Sequence, residues 1–515
     1  MQLPQFPRQL LQFLFIVLLV AALILVVMNE LSWFFLLLFL LLLILLLWRL
    51  FGGREYVAPS DNYPPDEYYV QGQIILSGPE TAVDAAVESA SQTIVLSLGG
   101  TEEEQAQNKV RFSDLSEEVQ NCIGECSGID FDNFVIARYS FDDTEADVAA
   151  AIRAINDAVG RGSDVRAEPN WLSGHQWETS GLGWEPWEPT GSGEGAGEPS
   201  PAEFFMEQWA FKQIGLDQLE EHECGRNVRI GIFDTWPSGS EGLAVTTQSL
   251  SWVNQPTSLN LKSVEANYQL PPEKDINLNL SSHGLFTAGL AHAVAPNAEI
   301  HVYRVLNKNN MGDLFSLVKA VFDFILENTA EASEEQLGAV INLSLGIRVP
   351  PDAAQMALPL EVQALRDILR AARCAGIVVI AAAGNSSADL PSPKPADLPA
   401  NWSEIIGVSS STKGKGRSCF SNRGDLAAPG GDGGSKEGGA SGCLPLNDTC
   451  NSPECVYGVI GPVLQNEGYP EGYAFWSGTS FSTPMVAGLA ACVIEKGQGQ
   501  LSPDQVRRII ECGVI

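Results

Sequence analysis

Positive charge is what this sequence has least of. Thirty Lys and Arg stand against 63 Asp and Glu, a net charge of −33 over 515 residues. A polyanion such as nucleic acid would be repelled by that balance, so nucleic-acid binding is excluded as a partner class. Charge of this kind carries no information on fold. Histidine is also scarce, with five in all: His175, His222, His283, His292 and His301. Chemistry that needs an imidazole must draw on one of these. The ten cysteines include no Cys-x-x-Cys pair and no pair with a histidine close by, which argues against a zinc site and for no bound metal. Cys374 and Cys492 lie in apolar helical stretches and read as buried thiols. Cys122 with Cys126, and Cys443 with Cys450 and Cys455, are close neighbours that suit disulfides in an oxidising compartment.

The length calls for more than one folded unit. Leu10 to Met28 and Leu31 to Trp48 are two apolar runs separated by Asn29-Glu30. Each is long enough to cross a bilayer core of ~30 Å at about 1.5 Å per residue. Residues 10–48 therefore predict two transmembrane helices in a tight hairpin, in contact with lipid. No small-x-small cleavage site follows the first run, as a signal peptide would require. Arg8, Arg49 and Arg54 flank the spans and none lies between them, which places both ends in the cytoplasm by the positive-inside rule. The clustered cysteines point to the opposite side. The expected location is thus a multi-pass membrane protein, with two opposed signals for the side of its folded part.

Residues 49–66 read as a linker. Residues 67–172 predict a small α+β domain: Gln73–Leu76 and Phe134–Tyr139 as strands, Ala146–Val159 as a helix. Residues 173–203, rich in Gly, Glu, Pro, Ser and Trp, form a second linker. Residues 204–515 hold the chemistry. Residues 430–471 are a Gly- and Cys-containing insertion within them.

Ser477-Gly-Thr-Ser-Phe-Ser-Thr-Pro-Met-Val-Ala-Gly places Ser480 in a small-residue turn before an Ala/Val/Leu helix. A hydroxyl at a helix N-terminus sits where outward N–H groups favour developing negative charge. A serine needs a base, and the base an orienting group. Asp234 ends the alternating apolar run Val228-Arg-Ile-Gly-Ile-Phe-Asp, at the C-terminal edge of a strand, where open α/β sheets carry their sites. His283 opens a small-residue helix in Ser281-Ser-His-Gly-Leu-Phe-Thr-Ala-Gly. The buried strand Ile377-Val-Val-Ile-Ala-Ala-Ala runs into Gly384-Asn385, and Asn385 offers an amide to an oxyanion. Each residue has an ordinary structural reading by itself: a cap, a core histidine, a turn. Their order and number give them joint meaning.

Together the motifs resemble those of the subtilase, or subtilisin-like serine protease, family. Asp234-Thr235, His283-Gly284, Ala383-Gly384-Asn385 and Gly478-Thr479-Ser480 match its motifs in order. Ile341-Asn-Leu-Ser-Leu-Gly346 is similar to its substrate-binding strand, and the resemblance runs over about residues 204–515. It implies an α/β fold with a mostly parallel sheet and helices on both faces. It also implies a catalytic triad of Asp234, His283 and Ser480, an oxyanion group at Asn385, and substrate binding by Ser344, Leu345 and Gly346. No cofactor is required for catalysis in such a protein, and structural calcium is left open. Protein or peptide substrates are implied, hydrolysed through an acyl-enzyme. Residues 165–171 resemble the end of a subtilase propeptide, so the small domain would be a partner of its own protease, removed by self-processing. Trp236, Leu285, Phe286, Thr287 and Ser482 depart from the usual pattern without removing a reacting group. The rival reading is an inactive membrane scaffold that uses the same fold for binding.

Overall fold

The computed structural model describes residues 68–127, 131, 133–141, 148–160, 163–174, 205–218, 223–237, 270–271, 280–329, 335–347, 349, 362–387, 392–431, 433–434, 444–445, 458–464 and 472–513. The chain divides into two compact units, Met1–Ser60 and Asp61–Ile515, and the described residues all belong to the second. Among them no helix is long and apolar enough to cross a membrane. The two spans expected at 10–48 lie outside the described residues, as does the linker at 49–66. Of the linker expected at 173–203, residues 173 and 174 end strand β4 instead and the rest lies outside the described residues.

Residues 68–174 build an antiparallel sheet in the order β2-β3-β1-β4, from β1 (Tyr69–Pro79), β2 (Lys109–Arg111), β3 (Phe134–Ser140) and β4 (Arg166–Gly174). Helices α1 (Glu80–Ala90) and α3 (Val148–Val159) pack together and against this sheet. Helix α2 (Glu117–Ser127) lies between β2 and β3 in sequence. The apolar positions of α3, Val148, Ala151, Ile152 and Ile155, recur at helical spacing and are all buried, which is why that segment folds as an amphipathic helix.

The larger part is a six-stranded sheet in the order β12-β11-β10-β8-β5-β6. Its strands are β5 (Val228–Asp234), β6 (Glu299–Arg304), β8 (Gly338–Leu343), β10 (Val378–Ala382), β11 (Ile406–Ser411) and β12 (Leu426–Pro429). All five pairings are parallel. Strand side chains alternate between faces. Val228, Ile230 and Ile232 of β5 join one apolar cluster with Val340, Val378, Ile380, Ile406 and Val408. Phe233, Ile341, Val379 and Ala381 join another. Burial on both faces explains the near-continuous apolar runs of these strands. Helices α4 (His283–Val294) and α7 (Thr479–Lys496) cover the first face. Helices α5 (Leu314–Thr329) and α6 (Gln363–Cys374) cover the second. Two short strands, β7 (Met311–Asp313) and β9 (Gly346–Ile347), stand outside this sheet.

Strand β4 joins the two parts. Its alternation sends Ala167 and Trp171 into the apolar cluster shared with the small domain. Glu168 and Asn170, two residues apart, reach the starts of two helices instead. Glu168 Oε1 accepts the Ala364 N–H at 2.8 Å, in the first turn of α6. Asn170 Oδ1 accepts the Phe315 N–H at 3.0 Å, in the first turn of α5. Both satisfy N–H groups that a helix start leaves without an internal partner. Arg166 adds an ion pair to Asp367 at 2.8 Å. Beyond these contacts, Leu172–Gly174 pairs antiparallel with Met311–Asp313 of β7, and Ser173–Gly174 with Gly346–Ile347 of β9.

The structure corrects two cysteine assignments. Cys374 and Cys492, read as buried thiols, are both in disulfides: Cys122–Cys374 and Cys224–Cys492. Cys122 thus bonds across 252 residues rather than to its neighbour Cys126. Cys374 and Cys492 both lie in helices packed among apolar residues, and a disulfide fits that kind of site as readily as a thiol.

Burial pushes the Glu168 carboxyl up to about 8, with Asp367 close by adding to the rise and the Ala364 N–H and Arg166 opposing it. Burial raises Asp367 too. A carboxyl raised in the docked state binds its proton more tightly docked than free. Its contribution is therefore fully present below the ordinary value of 4.5 and is lost as pH rises toward 8. Docking of β4 should weaken between pH 4.5 and about 8, and Glu168→Gln should flatten part of that dependence. Hydrogen-exchange protection of β4 amides, corrected for the intrinsic rate at each pH, measures it. Equal slopes for the variant and the wild type would show that Glu168 is not the group responsible.

Candidate active site

The site forms where the C-terminal ends of β5, β8 and β10 meet the starts of α4 and α7. Asp234 is the last residue of β5 and is fully buried. A carboxylate cannot stay charged there without donors. The Thr235 N–H donates to Oδ1 at 2.6 Å, and the Thr287 hydroxyl lies 3.4 Å from Oδ2. His283 Nδ1 lies 2.8 Å from Oδ1 and 2.9 Å from Oδ2. Because the carboxylate only accepts, Nδ1 carries the proton and Nε2 is left as the basic nitrogen. The Trp476 and Phe481 rings stand 5.4 and 5.3 Å from the imidazole ring. They form an apolar wall that keeps water from the pair.

The backbone around His283 is equally specified. Thr235 Oγ1 accepts the Gly284 N–H at 3.0 Å and donates to the Leu280 and Ser281 carbonyls. A Cβ on Gly284 would run into the Thr235 carbonyl, so the residue after the histidine has no room for a side chain. Of the other histidines, His292 lies in the last turn of α4 and His301 beside Glu299 in β6. His175 and His222 are outside the described residues.

Ser480 is the second residue of α7 and is buried. Its hydroxyl donates to the Ser344 carbonyl at 3.3 Å. The neighbouring Phe481 packs on the His283 ring, so serine and imidazole share one wall. Pro484 lies inside α7. It has no N–H to give the Ser480 carbonyl four residues earlier. Ser344 Oγ supplies the missing donor at 2.7 Å and is itself held by Asn342 Nδ2 at 3.1 Å. The proline thus fastens the nucleophile's backbone to the strand that carries Ser344.

Asn385 follows β10. Its Oδ1 accepts the Thr479 N–H at 2.9 Å and the Thr479 hydroxyl at 3.0 Å, while Thr479 Oγ1 accepts the Gly384 N–H at 3.1 Å. With the oxygen engaged twice, the amide Nδ2 is the group left to point away from Thr479. Together with a backbone N–H at the start of α7 it can hold an oxyanion. Ser344, Leu345 and Gly346 run from β8 into β9, and Gly346 pairs with Gly174 of β4. The structure thus brings Asp234 to His283, Ser480 to Ser344, and Asn385 to Thr479.

Sequence reasoning passed over several of these supports. The roles of Thr287, Thr479 and Asn342 rest on contacts between distant segments. Pro484 was the exception that could have been read, because a proline six residues into a helix marks a carbonyl that needs another donor. The insertion at 430–471 also gains a place. Its Val459–Pro462 pairs antiparallel with Tyr473–Trp476, Gln208 bonds to both backbone groups of Ile460, and the Leu464 N–H donates to Ser282 Oγ at 3.0 Å. This hairpin presents Trp476 to the imidazole. Among the described residues no group of three or more His, Cys, Asp or Glu side chains could hold a metal ion.

A buried Asp–His pair, a serine at a helix start and an oriented amide define a serine hydrolase site on a parallel α/β sheet. The family model of the subtilases matches residues 225–512, more than half of the chain, and this protein belongs to that family of subtilisin-like serine endopeptidases. It is 27% identical over 296 residues to Subtilisin DY of Bacillus licheniformis, covering 55% of this chain and 82% of that one. It is 23% identical over 322 residues to the Minor extracellular protease Epr of Bacillus subtilis (strain 168), covering 60% of this chain but only 39% of the relative. Among solved structures, the crystal structure of a lanthipeptide protease aligns with a TM-score of 0.42 at 23% identity, over 60% of this chain and 85% of that one.

Ser480→Ala should lower kcat by a factor of about 10⁶ with an unchanged far-UV circular dichroism spectrum. Activity near wild type in a preparation free of other proteases would remove Ser480 from the reaction. Asn385→Ala should lower kcat by about 10²–10³ with KM little changed. A matching rise in KM would make it a pocket residue instead. Gly284→Ala should displace His283 and reduce kcat/KM by at least about tenfold, while the Ser480 hydroxyl remains in place. Unchanged kinetics would show that the segment shifts without moving the imidazole.

Proposed function

We propose that this protein is a membrane-anchored serine endopeptidase that carries its own inhibitor and cuts the chain that links the two. Ser480 attacks the scissile carbonyl, His283 takes its proton and returns it to the leaving amine, and Asp234 holds the imidazole and stabilises its cation. Asn385 and the start of α7 receive the oxyanion. Water then releases the acyl group. Protein or peptide chains are the substrates, bound in extended form along Ser344–Gly346.

The observation that carries this reading is the path of β4. Ser173–Gly174 lies as an added strand between β7 and β9, and β9 begins two residues after Ser344, whose carbonyl takes the Ser480 hydroxyl. An extended segment held by main-chain pairing is how a sheet edge binds peptide. The small domain therefore occupies the place of substrate and leads its own chain toward the nucleophile. The same occupancy favours an enzyme over a binding scaffold, because the blocked groups are those of catalysis. The runs at 10–48 are the reason to read the protein as anchored in lipid. The two disulfides support an oxidising, extracytoplasmic compartment for the catalytic part, against the lean of the flanking arginines.

Self-cleavage is expected close after β4, within about four residues of Gly174, since strand pairing advances one residue per position. Purified protein should yield a new N-terminus there by Edman sequencing, and the Ser480→Ala variant should not. A cut that persists in the variant, or an active enzyme that stays full length, would remove self-processing from the proposal.

A further inference from the structure

We infer that cleavage of the linker does not release the small domain, because the Cys122–Cys374 disulfide holds it on the protease as a second chain. Cys122 is on α2 of the small domain and Cys374 ends α6 of the catalytic part, with Cα atoms 5.7 Å apart. The two helices pack against each other. One cysteine precedes the segment 175–204 and the other follows it. Any cut in that segment therefore gives two polypeptides that the Cys122–Cys374 bond keeps joined. Cys224–Cys492 has no such effect, since both partners follow the segment. This inference deepens the self-inhibition proposed above and rests on it only for the effect on activity.

The consequence is one of effective concentration. A cleaved but untethered inhibitor leaves when its concentration falls below its dissociation constant. A tethered one faces its site at millimolar-scale effective concentration whatever the dilution. The contacts at Arg166, Glu168, Asn170 and Leu172–Gly174 then re-form as fast as they break. The cut makes the enzyme competent, and a second event makes it active. Reduction by a dithiol is one such event. A thiolate of the dithiol attacks Sγ of Cys122 or Cys374, the S–S bond breaks, and the other cysteine leaves as a thiolate. The second thiol of the reductant then displaces the bound cysteine. Two electrons pass from the dithiol to the cystine, which becomes two thiols, and the dithiol becomes a cyclic disulfide. Both cysteines are half-buried, so a small dithiol can approach. For as long as the bond is intact, the catalytic part also stays joined to residues 1–67 and to whatever those residues are anchored in.

The test uses the full chain with a recognition site for an added protease placed between residues 185 and 195, so the cut does not depend on self-processing. In the Ser480→Ala background, the cut protein should run as one band on a denaturing gel without reductant and as two bands with dithiothreitol. Cys122→Ser, and separately Cys374→Ser, should give two bands without reductant. Two bands from the parent protein without reductant would overturn the tether. In the Ser480 protein, cut in the same way, peptidase activity at nanomolar enzyme should rise at least about tenfold on adding dithiothreitol. The cysteine variants should be active from the start and show no such rise. Equal activity with and without dithiothreitol in the disulfide-linked form would overturn the gating. Absence of activity in every form would count against the protease reading while leaving the gel result to decide the tether.

Discussion

A carboxylate with no exposed surface organises this molecule's chemistry. Asp234 is sealed at the end of β5, and an unpaired charge in that position would cost several kcal/mol after all relaxation. Its hydrogen-bond donors come from two directions, its own following N–H and the imidazole of His283, while the Thr287 hydroxyl one turn further along α4 donates to the Gly284 carbonyl. Those donors fix α4 against β5, and Gly284 has to be glycine because the helix is drawn onto the Thr235 carbonyl. A hydrogen bond to a charged group contributes roughly 1.5–3 kcal/mol. The contact that orients the imidazole is therefore also one that locks the fold.

The other half of the site follows the same logic with neutral groups. Helix α7 runs along the sheet face and reaches the site with its N-terminus, where its N–H groups have no internal partners. Asn385 takes one of them through Thr479, and Ser344 supplies the donor that Pro484 withholds. Ser480 is thus held by its backbone carbonyl as well as by its hydroxyl, which donates to the Ser344 carbonyl at 3.3 Å. A rigid frame around such a hydroxyl is the arrangement that preorganised catalysis requires.

How much of this the sequence displays depends on whether the signal is local. The run Val228–Asp234 reads as a strand because both of its faces are buried, and the break into Thr-Trp-Pro marks where it ends. Gly284 beside His283 marks a tight approach. The support around those residues is not local. Thr479 reaches Asn385 across 94 residues and Ser344 reaches Ser480 across 136. Strands β7 and β9 have three and two residues, too few for any periodicity to show. Their role exists only because β4 lies between them. Cysteine pairing is the extreme case: nothing around Cys122 or Cys374 names its partner, and spacing suggested the nearest neighbours instead.

The docking of the small domain is where these levels meet. Strand β4 caps two helices, seals an apolar cluster and pairs with β7 and β9, all within nine residues. Its two-residue alternation makes that feasible, with Trp171 and Ala167 in the apolar cluster and Glu168 and Asn170 on the helix starts. The helix caps are polar contacts of a kind that substrate does not make. Binding energy at α5 and α6 can therefore hold the strand in the groove without requiring a tight fit next to Ser480. If the small domain acts as the inhibitor proposed above, it gains its grip far from Ser480 and presents an ordinary peptide there. Cutting that peptide alters nothing at α5 or α6, so chemistry at the serine and retention of the small domain are physically separate. The disulfide from α2 to α6 lies on the retention side of that division.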